Sequence, residues 1–316
     1  MHVIDAAAID RALTFPALID AIDAALRADV VVPLRHHHQI ARPDGDATHL
    51  IMPAWAAGPG GFLGVKIVNV YPGNAARGLP SIHGSYLLMN GDTGIPLAVM
   101  DGARITAWRT AATSALAARY LAAADARMHL MVGAGALSAF FIRAHRAVRP
   151  IARTILWNKT RANAEKVAVE LAREGIAVEV TDDLEGAARE ADVISTATLS
   201  KTPLVLGKWL KEGAHLDLVG AFNPSMRETD DDAVLRARLF ADTRDGVLQE
   251  GGDLVQPIRA GLLKPEAVEA ELADLSRKTV SFTRKSGDIT LYKSTGGAIF
   301  DLAAAALVAK AAGIAT

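Results

Sequence analysis

A glycine turn directly after an apolar segment limits the possible folds of this chain more than any other stretch. Met128–Val132 is apolar enough for a buried strand, Gly133-Ala134-Gly135-Ala136-Leu137-Ser138 follows it, and a helical pattern begins near Phe140. A glycine turn between a strand and a helix lets the backbone approach a pyrophosphate, whose charge is stabilised by backbone N–H groups and the helix dipole. Taken alone, such a turn is equally compatible with a purely structural role.

The segments after the turn alternate between strand and helix patterns, and this favours the nucleotide-binding interpretation. Strand patterns occupy residues 128–132, 154–157, 177–180, 193–196, 215–219 and 239–241, and helical patterns occupy residues 140–148, 162–173 and 184–190. Such alternation is typical of a doubly wound parallel sheet. We therefore predict a Rossmann-type domain in which the following backbone segment binds a dinucleotide: Gly133, Ala134, Gly135, Ala136 and Leu137.

The N-terminal part of the chain follows a different pattern. Two short helices are predicted around residues 10–28, strands at 47–55 and 62–71, and a hairpin that pairs residues 84–89 with 96–100. The turn of this hairpin, Asn90-Gly91-Asp92-Thr93-Gly94, is rich in residues that tolerate positive φ. We predict an antiparallel sheet module here, followed by Ala-rich helices at residues 106–124 and, at the far end of the sequence, 298–312.

Composition and charge exclude several classes of function. The chain has 316 residues, enough for two domains, and a net charge of −1 with no basic stripe that would bind nucleic acid. It has no cysteine, and its apolar stretches are shorter than the roughly 18 residues that a membrane span needs. We expect a cytoplasmic protein with no nucleic-acid or membrane partner. His36-His37-His38 suggests a metal cluster, but three consecutive side chains cannot all face one ion, so no metal site is expected.

The segment after the second strand of the predicted parallel sheet indicates which dinucleotide binds. NAD-specific sites place an Asp or Glu there to bind the ribose 2′-hydroxyl, whereas this chain has Asn158-Lys159-Thr160-Arg161. Asn158 and Thr160 can donate hydrogen bonds, and Lys159 and Arg161 can neutralise a 2′-phosphate. We predict a preference for NADP(H), with NAD(H) possible. The alternative is that Lys159 and Arg161 only begin a solvated helix.

Blocks of sequence spread over nearly the whole chain resemble one protein family. They are Gly64-Val65-Lys66-Ile67, Gly78-Leu79-Pro80, residues 90–102, Trp108-Arg109-Thr110-Ala111-Ala112, the glycine turn, Thr196-Ala197-Thr198 and Lys293-Ser294-Thr295-Gly296. In this order they resemble the ornithine cyclodeaminase/mu-crystallin family. The resemblance implies an α/β homodimer: residues 1–120 and 292–316 form a smaller α+β domain for substrate binding and dimerisation, residues 121–291 form the NADP-binding Rossmann domain, and the active site lies between them.

The resemblance also implies which side chains bind the ligands. The substrate is an amino acid or a cyclic imino acid, held through residues that match Arg35, Lys66, Arg109, Thr295 and Gly296. Further cofactor-binding positions match Thr196, Ala197, Thr198, Phe222 and Ser294, and the resemblance places Ser294-Thr295-Gly296 near the nicotinamide and the substrate. The residues themselves support Lys66, whose ammonium interrupts an apolar strand face and needs an anion, and Arg109, whose planar guanidinium suits a carboxylate. A structural Asp or Glu would satisfy either cation equally well.

The loop after the fifth strand separates the activities within this family. The cyclodeaminases of the family and the related alanine dehydrogenases share an Asp two residues before a Pro in this loop. The matching residue here is Phe222. An uncharged residue is typical of the family's ketimine reductases. The resemblance therefore implies NAD(P)H-dependent reduction of Δ1-pyrroline-2-carboxylate or Δ1-piperideine-2-carboxylate, to L-proline or L-pipecolate. His49 or Lys66 would supply the proton. The alternatives are an NAD-dependent cyclodeaminase or alanine dehydrogenase, and a nucleotide-binding protein without turnover.

Overall fold

A computed structural model describes residues 1–43 and 45–314, and these residues form two units. Unit 1 comprises residues 1–110 with the C-terminal segment from Gly297, and unit 2 comprises Ala111–Gly296. The sequence placed the boundaries near residues 120/121 and 291/292. The second one lies later because the strand at residues 290–293 belongs to the sheet of unit 2.

The strands and helices are numbered in chain order. The strands are β1 His2–Ile4, β2 Val30–Val31, β3 His36–Ile40, β4 Ala47–Ala56, β5 Phe62–Val70, β6 Ile82–Asn90, β7 Pro96–Asp101, β8 Met128–Val132, β9 Arg153–Trp157, β10 Glu179–Thr181, β11 Val193–Thr196, β12 His215–Leu218, β13 Arg238–Ala241, β14 Val268–Glu271 and β15 Thr290–Lys293. The helices are α1 Ala6–Ala12, α2 Phe15–Arg27, α3 Gly102–Leu121, α4 Ser138–Val148, α5 Arg161–Ala172, α6 Leu184–Glu190, α7 Asp231–Arg236, α8 Arg244–Glu250, α9 Gly252–Arg259, α10 Leu272–Arg277 and α11 Ala298–Ala311.

The sheet of unit 1 is mixed rather than purely antiparallel. Its order is β1-β7-β6-β5-β4-β2, with β3 also paired to β4. The predicted hairpin is present as β6 and β7, but β1 pairs with β7 in parallel, which corrects the prediction of an antiparallel module. Helix α11 packs against β4 and β5 and against α2. Since side chains alternate between the two faces of a strand, these helices bury only one face of the sheet.

The sheet of unit 2 is entirely parallel. Its order is β10-β9-β8-β11-β12-β15-β13-β14, so the first five strands follow the doubly wound pattern that the sequence predicted. This confirms the α/β fold class. The sequence pattern did not predict β14 or β15, and β15 lies between β12 and β13 although it follows both of them in the chain.

Two features bring the start of α3 close to β6. The Asp101 carboxylate accepts a hydrogen bond from the Arg104 N–H at 2.8 Å, which caps the helix. A Cβ atom at Gly102 would lie only 2.7 Å from backbone atoms of Gly84 and Ser85, so only glycine permits this approach.

Within the described residues, no helix is both long and apolar enough to cross a membrane.

Candidate functional site

A cluster of three buried charges forms the centre of the candidate site in unit 1. The Lys66 Nζ lies 2.7 Å from Oδ2 of Asp301, and the Arg109 Nε lies 2.9 Å from Oδ1 of the same carboxylate. Lys66 is 2% exposed, Arg109 6% and Asp301 0%. The structure therefore brings the two predicted carboxylate-binding cations together, on a carboxylate that the sequence analysis did not identify.

The three side chains come from three different elements. Lys66 lies in the middle of β5, as its strand pattern predicted, and it belongs to the face that α11 covers. Arg109 lies in the first half of α3, where the neighbouring Trp108 packs against Phe15 with ring centroids 4.5 Å apart and ring planes tilted by 36°. Asp301 lies in the first turn of α11, where the helix dipole favours a negative charge. Packing of a sheet, an apolar anchor and a helix start thus fixes the geometry of the cluster.

The electrostatics of the cluster leave Lys66 in need of a further anion. Burial, followed by the charge of Arg109, lowers the pKa of Lys66 to about 8, although Asp301 acts to raise it. Arg35, which is half-buried, lowers the pKa of Lys66 as well. The pKa of Asp301 is lowered by Arg109 and Lys66 despite its burial. A ligand carboxylate would offset the excess positive charge around Lys66.

Tyr86 is a further polar group on this face of the sheet. It lies directly opposite Lys66 in the β5–β6 register and is 1% exposed. Among the described residues, its hydroxyl has no hydrogen-bond partner. A Cβ atom at Gly64 would lie 1.9 Å from this hydroxyl, so Gly64 provides the space that it occupies. Burial, and then the charge of Asp301, raises the pKa of Tyr86, which therefore keeps its proton.

The structure does not bring His49 to this cluster. His49 pairs with Asn69 in the β4–β5 register, and its Nδ1 lies 2.8 Å from the Asn69 Oδ1. Lys66 pairs instead with Met52, an odd number of residues away from His49, so the two side chains point to opposite faces of the sheet. This corrects the prediction that His49 is an alternative proton donor beside Lys66.

In unit 2, every segment predicted to bind the cofactor follows the carboxyl end of a parallel strand. The glycine turn follows β8, Asn158–Arg161 follows β9, Thr196–Thr198 ends β11, and Ser294–Gly296 follows β15. Because parallel strands end at a common edge, these segments share one side of the sheet. Ligands of doubly wound sheets bind at this edge.

The glycine turn fits a pyrophosphate. Gly133 has a φ of 109°, and a Cβ atom there would lie 2.8 Å from the Ala197 carbonyl oxygen. A Cβ atom at Gly135 would meet nothing within 4 Å, which leaves room above the turn. No hydrogen bond within the described chain uses the N–H of Gly135, Ala136 or Leu137. Unused N–H groups at the start of α4 are the donors that a phosphate requires.

The segment after β9 divides into structural and exposed residues. The Asn158 Oδ1 accepts the Ala134 N–H at 3.1 Å and its Nδ2 donates to the Thr160 carbonyl, so Asn158 ties this segment to the glycine turn. Arg161 forms ion pairs with Glu165 at 2.8 Å and Asp182 at 2.6 Å. Lys159 is exposed. Lys159 is therefore better placed than Arg161 to meet a 2′-phosphate.

A buried carboxylate holds the loops after β11 and β12. Glu228 accepts hydrogen bonds from the Thr196 hydroxyl, from the N–H and hydroxyl of Thr198, and from the N–H groups of Gly220 and Ala221. A Cβ atom at Gly220 would lie 2.3 Å from the Glu228 Oε1, so glycine is required there. Glu228 thus fixes two of the strand ends at the cofactor edge.

A second buried carboxylate, that of Asp253, accepts a hydrogen bond from the backbone of Glu228. The Asp253 Oδ1 accepts the Glu228 N–H at 2.7 Å, and its Oδ2 lies 3.0 Å from the Lys293 Nζ. Asp253 and Lys293 are both fully buried. Asp253 lies in the first turn of α9.

Asp242 holds the segment that follows β15. Its Oδ2 accepts hydrogen bonds from the Ser294 hydroxyl at 2.8 Å, the Thr295 N–H at 2.9 Å and the Gly296 N–H at 2.6 Å. Gly296 has a φ of 85°, a conformation that favours glycine. Three predicted ligand-binding residues are thus fixed by an acid that the sequence analysis did not identify.

The loop after β12 carries Phe222 and is held in place by hydrogen bonds from Gln256. Phe222 is 37% exposed, and Gln256 donates hydrogen bonds to the carbonyl oxygens of Pro224 and Met226 behind it. The loop has no acid between Gly220 and Arg227. Glu228, the next acid along the chain, is 0% exposed and fully engaged by its donors.

A cluster of neutral side chains lies under the sheet of unit 2. The rings of His129 and His145 stack with centroids 4.6 Å apart, and the His145 Nε2 lies 3.5 Å from the Asp217 Oδ2. Burial lowers the pKa of His145 to about 4 and raises that of Asp217 to about 7. Between these two values both side chains are uncharged. The described residues contain no group of His, Asp or Glu side chains that could hold a metal ion.

Signals for the missed residues were present but weak. Asp301 is the single acid in the otherwise apolar segment 298–309, and an isolated charge there suggests a buried partner. Tyr86 and Asp242 carry no comparable signal, because their roles depend on neighbours that are distant in the sequence.

The sequence as a whole identifies the family. The model of the ornithine cyclodeaminase/mu-crystallin family matches residues 2–313. The chain belongs to this family. This confirms the resemblance that the separate sequence blocks indicated.

Members of the family with known names cover nearly the whole chain. A Δ1-pyrroline-2-carboxylate reductase of Paracoccus denitrificans is 37% identical over 294 residues, which cover 92% of this chain and 92% of that protein. The structure of Thermococcus litoralis Δ1-pyrroline-2-carboxylate reductase in complex with NADH and L-proline covers 100% of this chain and 99% of that one, with 31% identity and a TM-score of 0.93. An archaeal alanine dehydrogenase dimer with bound NAD covers 100% and 98%, with 27% identity and a TM-score of 0.89.

Proposed function

We propose that this protein is an NAD(P)H-dependent ketimine reductase that reduces Δ1-pyrroline-2-carboxylate, and also Δ1-piperideine-2-carboxylate, to the cyclic amino acid. The observation that carries the proposal is the buried cluster of Lys66, Arg109 and Asp301, in which two cations share one carboxylate and a substrate carboxylate would offset the remaining positive charge. The relatives named Δ1-pyrroline-2-carboxylate reductase support the same substrate.

The residues present are sufficient for this chemistry. A protonated cyclic imine is already an electrophile, so the protein needs to bind its carboxylate, orient its ring and exclude water. When bound, a reduced nicotinamide supplies the hydride that adds to the imine carbon, while the ring nitrogen keeps the proton and becomes a secondary amine. With His49 on the other sheet face, Lys66, whose pKa is lowered to about 8, is the cation of the cluster that can release and regain a proton near neutral pH.

Phe222 favours reduction over deamination. Deamination requires a group that manages protons at the amine or at an attacking water. At this loop position the cyclodeaminases of the family resemble one another in having an Asp, whereas this chain has Phe222. The next acid along the chain, Glu228, is enclosed by its hydrogen-bond donors. The ring of Phe222 adds apolar surface but no base.

Two assays on the purified protein test this proposal. Loss of NADPH absorbance with chemically generated Δ1-pyrroline-2-carboxylate is expected, and ammonia release from L-ornithine with NAD is not. Robust ammonia release without imine reduction would show that the protein is a cyclodeaminase. Cofactor binding with neither activity would favour a nucleotide-binding protein without turnover.

The cofactor preference rests on the segment after β9. Asn158, Lys159, Thr160 and Arg161 include no acid that would bind a ribose 2′-hydroxyl, and Lys159 is exposed at the edge where the adenosine ribose of a doubly wound fold lies. We therefore propose that NADPH binds more tightly than NADH. Equal dissociation constants for the two reduced cofactors in a fluorescence titration would contradict this preference.

The proposed assembly is a homodimer formed through the uncovered face of the unit 1 sheet. This face carries apolar, partly exposed side chains on four neighbouring strands: Ile51, Pro53, Val65, Ile67, Leu87 and Val99. The archaeal alanine dehydrogenase of similar fold is a dimer. Light scattering should give the mass of two chains of 33.3 kDa each, and the variant Val65→Arg should give the mass of one.

A further inference from the structure

The Tyr86 hydroxyl is buried without a hydrogen-bond partner among the described residues. Leaving a buried hydroxyl unsatisfied is unfavourable, and a phenylalanine of the same shape would avoid this cost. Unsatisfied polar groups in native proteins are few, and each requires an explanation such as a bound ligand. The hydroxyl is therefore best explained by a partner that arrives with the substrate.

The position of Tyr86 indicates which part of the substrate that partner is. Tyr86 lies opposite Lys66 on the face of the sheet that α11 covers. Its ring extends over Gly64, where the missing side chain leaves space for the hydroxyl. It lies close enough to Asp301 to feel the charge of that carboxylate. Tyr86 therefore shares its sheet face with Lys66, one of the cations that the proposed function assigns to the substrate carboxylate.

We propose that the Tyr86 hydroxyl donates a hydrogen bond to the carboxylate of the bound imino acid, beside Lys66, and so contributes to substrate affinity. The inference rests on the proposed function, because it takes the ligand of the Lys66 cluster to be a carboxylate. It assigns Tyr86 a contact with substrate rather than a structural role in the sheet.

The variant Tyr86→Phe removes a single atom and tests this inference. A hydrogen bond to a charged group contributes about 1.5–3 kcal/mol, so the KM for Δ1-pyrroline-2-carboxylate should rise about tenfold to a hundredfold. The value of kcat should stay within about threefold, because the contact is present in both the ground state and the transition state. Tyr71→Phe makes the same substitution elsewhere in unit 1 and serves as the matched control, with kinetics like the wild type.

The Tm of the ligand-free variants distinguishes a substrate contact from a structural role. If the hydroxyl had a structural partner, its removal would lower the Tm. Removal of an unsatisfied hydroxyl should leave the Tm of Tyr86→Phe unchanged or raise it by about 1–3 °C. L-Proline with the oxidised cofactor should raise the Tm of the wild type more than that of Tyr86→Phe. Together, higher ligand-free stability and weaker substrate binding are the expected result.

Each contrary outcome has a distinct meaning. A KM within twofold of the wild type would show that the hydroxyl does not contact substrate. A lower Tm without ligand would show that the hydroxyl has a structural partner, which also overturns the inference. A fall in kcat at unchanged KM would place the hydroxyl at the reacting atoms instead of the carboxylate. Absence of imine reduction by both the wild type and Tyr71→Phe would overturn the proposed function, and the inference with it.

Discussion

The substitution Asp301→Asn is expected to change the pH dependence of the enzyme, because Asp301 keeps Lys66 protonated. The wild-type pKa of Lys66 is about 8. An opposite charge within hydrogen-bond distance shifts a pKa by about 1–3 units, so loss of the Asp301 charge should lower the pKa of Lys66 to about 6. At pH 7 the protonated fraction of Lys66 would then fall from about 90% to about 10%.

If protonated Lys66 binds the substrate carboxylate, kcat/KM follows this fraction. Activity is present below the pKa of Lys66 and is lost as the pH rises through it, so the alkaline limb should move from about pH 8 to about pH 6. The value of kcat/KM for the variant should be about tenfold below that of the wild type at pH 7 and should approach it near pH 5.

The measurement is kcat/KM for the imine at saturating NADPH, from acid to alkaline pH, for the wild type and the variant. Titration of the substrate itself affects both proteins equally, so only their ratio is interpreted. Asp92→Asn, which neutralises an exposed carboxylate of the hairpin turn in the same unit, should leave the ratio at one. A loss that is equal at every pH would refute the reasoning, because it would show that Asp301 supports the fold alone.

Three further outcomes are expected. Glu228→Gln should weaken NADPH binding about tenfold in a fluorescence titration, because an amide nitrogen would face the donors that fix the loops after β11 and β12, and an unchanged affinity would contradict this role. Lys159→Ala should weaken NADPH binding about fivefold to a hundredfold and spare NADH, with a smaller effect of Arg161→Ala because Arg161 is already paired, and equal losses for both cofactors would remove the 2′-phosphate assignment. Asp217→Asn should stabilise the protein at pH 8 but not at pH 4. Burial raises the pKa of Asp217 from 3.8 to about 7, so the folded protein binds the carboxyl proton more tightly than the unfolded chain does. The stability of the wild type therefore falls as the pH rises from about 4 to about 7, and the variant avoids this loss. The gain in urea unfolding at pH 8 is at most about 4 kcal/mol, and an equal effect at both pH values would argue against burial as the cause.

Local patterns were enough to predict the parallel sheet and much of the cofactor edge. The strand at Met128–Val132 and the glycine turn follow from apolar runs and from the backbone freedom of Gly133, both of which are properties of short segments. Lys66 and Arg109 were predicted from the family resemblance, and the need of a poorly solvated cation for an anion supported both. The identity of that anion, Asp301, depends on how α11 returns to β5, which no local pattern encodes.

The errors have the same physical origin. His49 and Lys66 both lie on strands of one sheet, but the register that sends them to opposite faces is set by pairing across the whole β4–β5 hairpin. The short strands β14 and β15 lack a distinctive sequence pattern. Only the structure identifies β15, through its pairing with β12 and β13, which are distant from it in the sequence.

Because β15 follows both β12 and β13 in the chain yet lies between them, the sheet of unit 2 cannot close until Lys293 has been synthesised. Until then, the facing edges of β12 and β13 have unpaired backbone groups, and such edges invite pairing with other chains. We expect nascent chains that end before Thr290 to be cleaved rapidly by protease and to aggregate, and chains that include Lys293 to resist cleavage. Equal resistance of the two sets to protease would contradict this expectation. It would show that the sheet of unit 2 closes before β15 joins it.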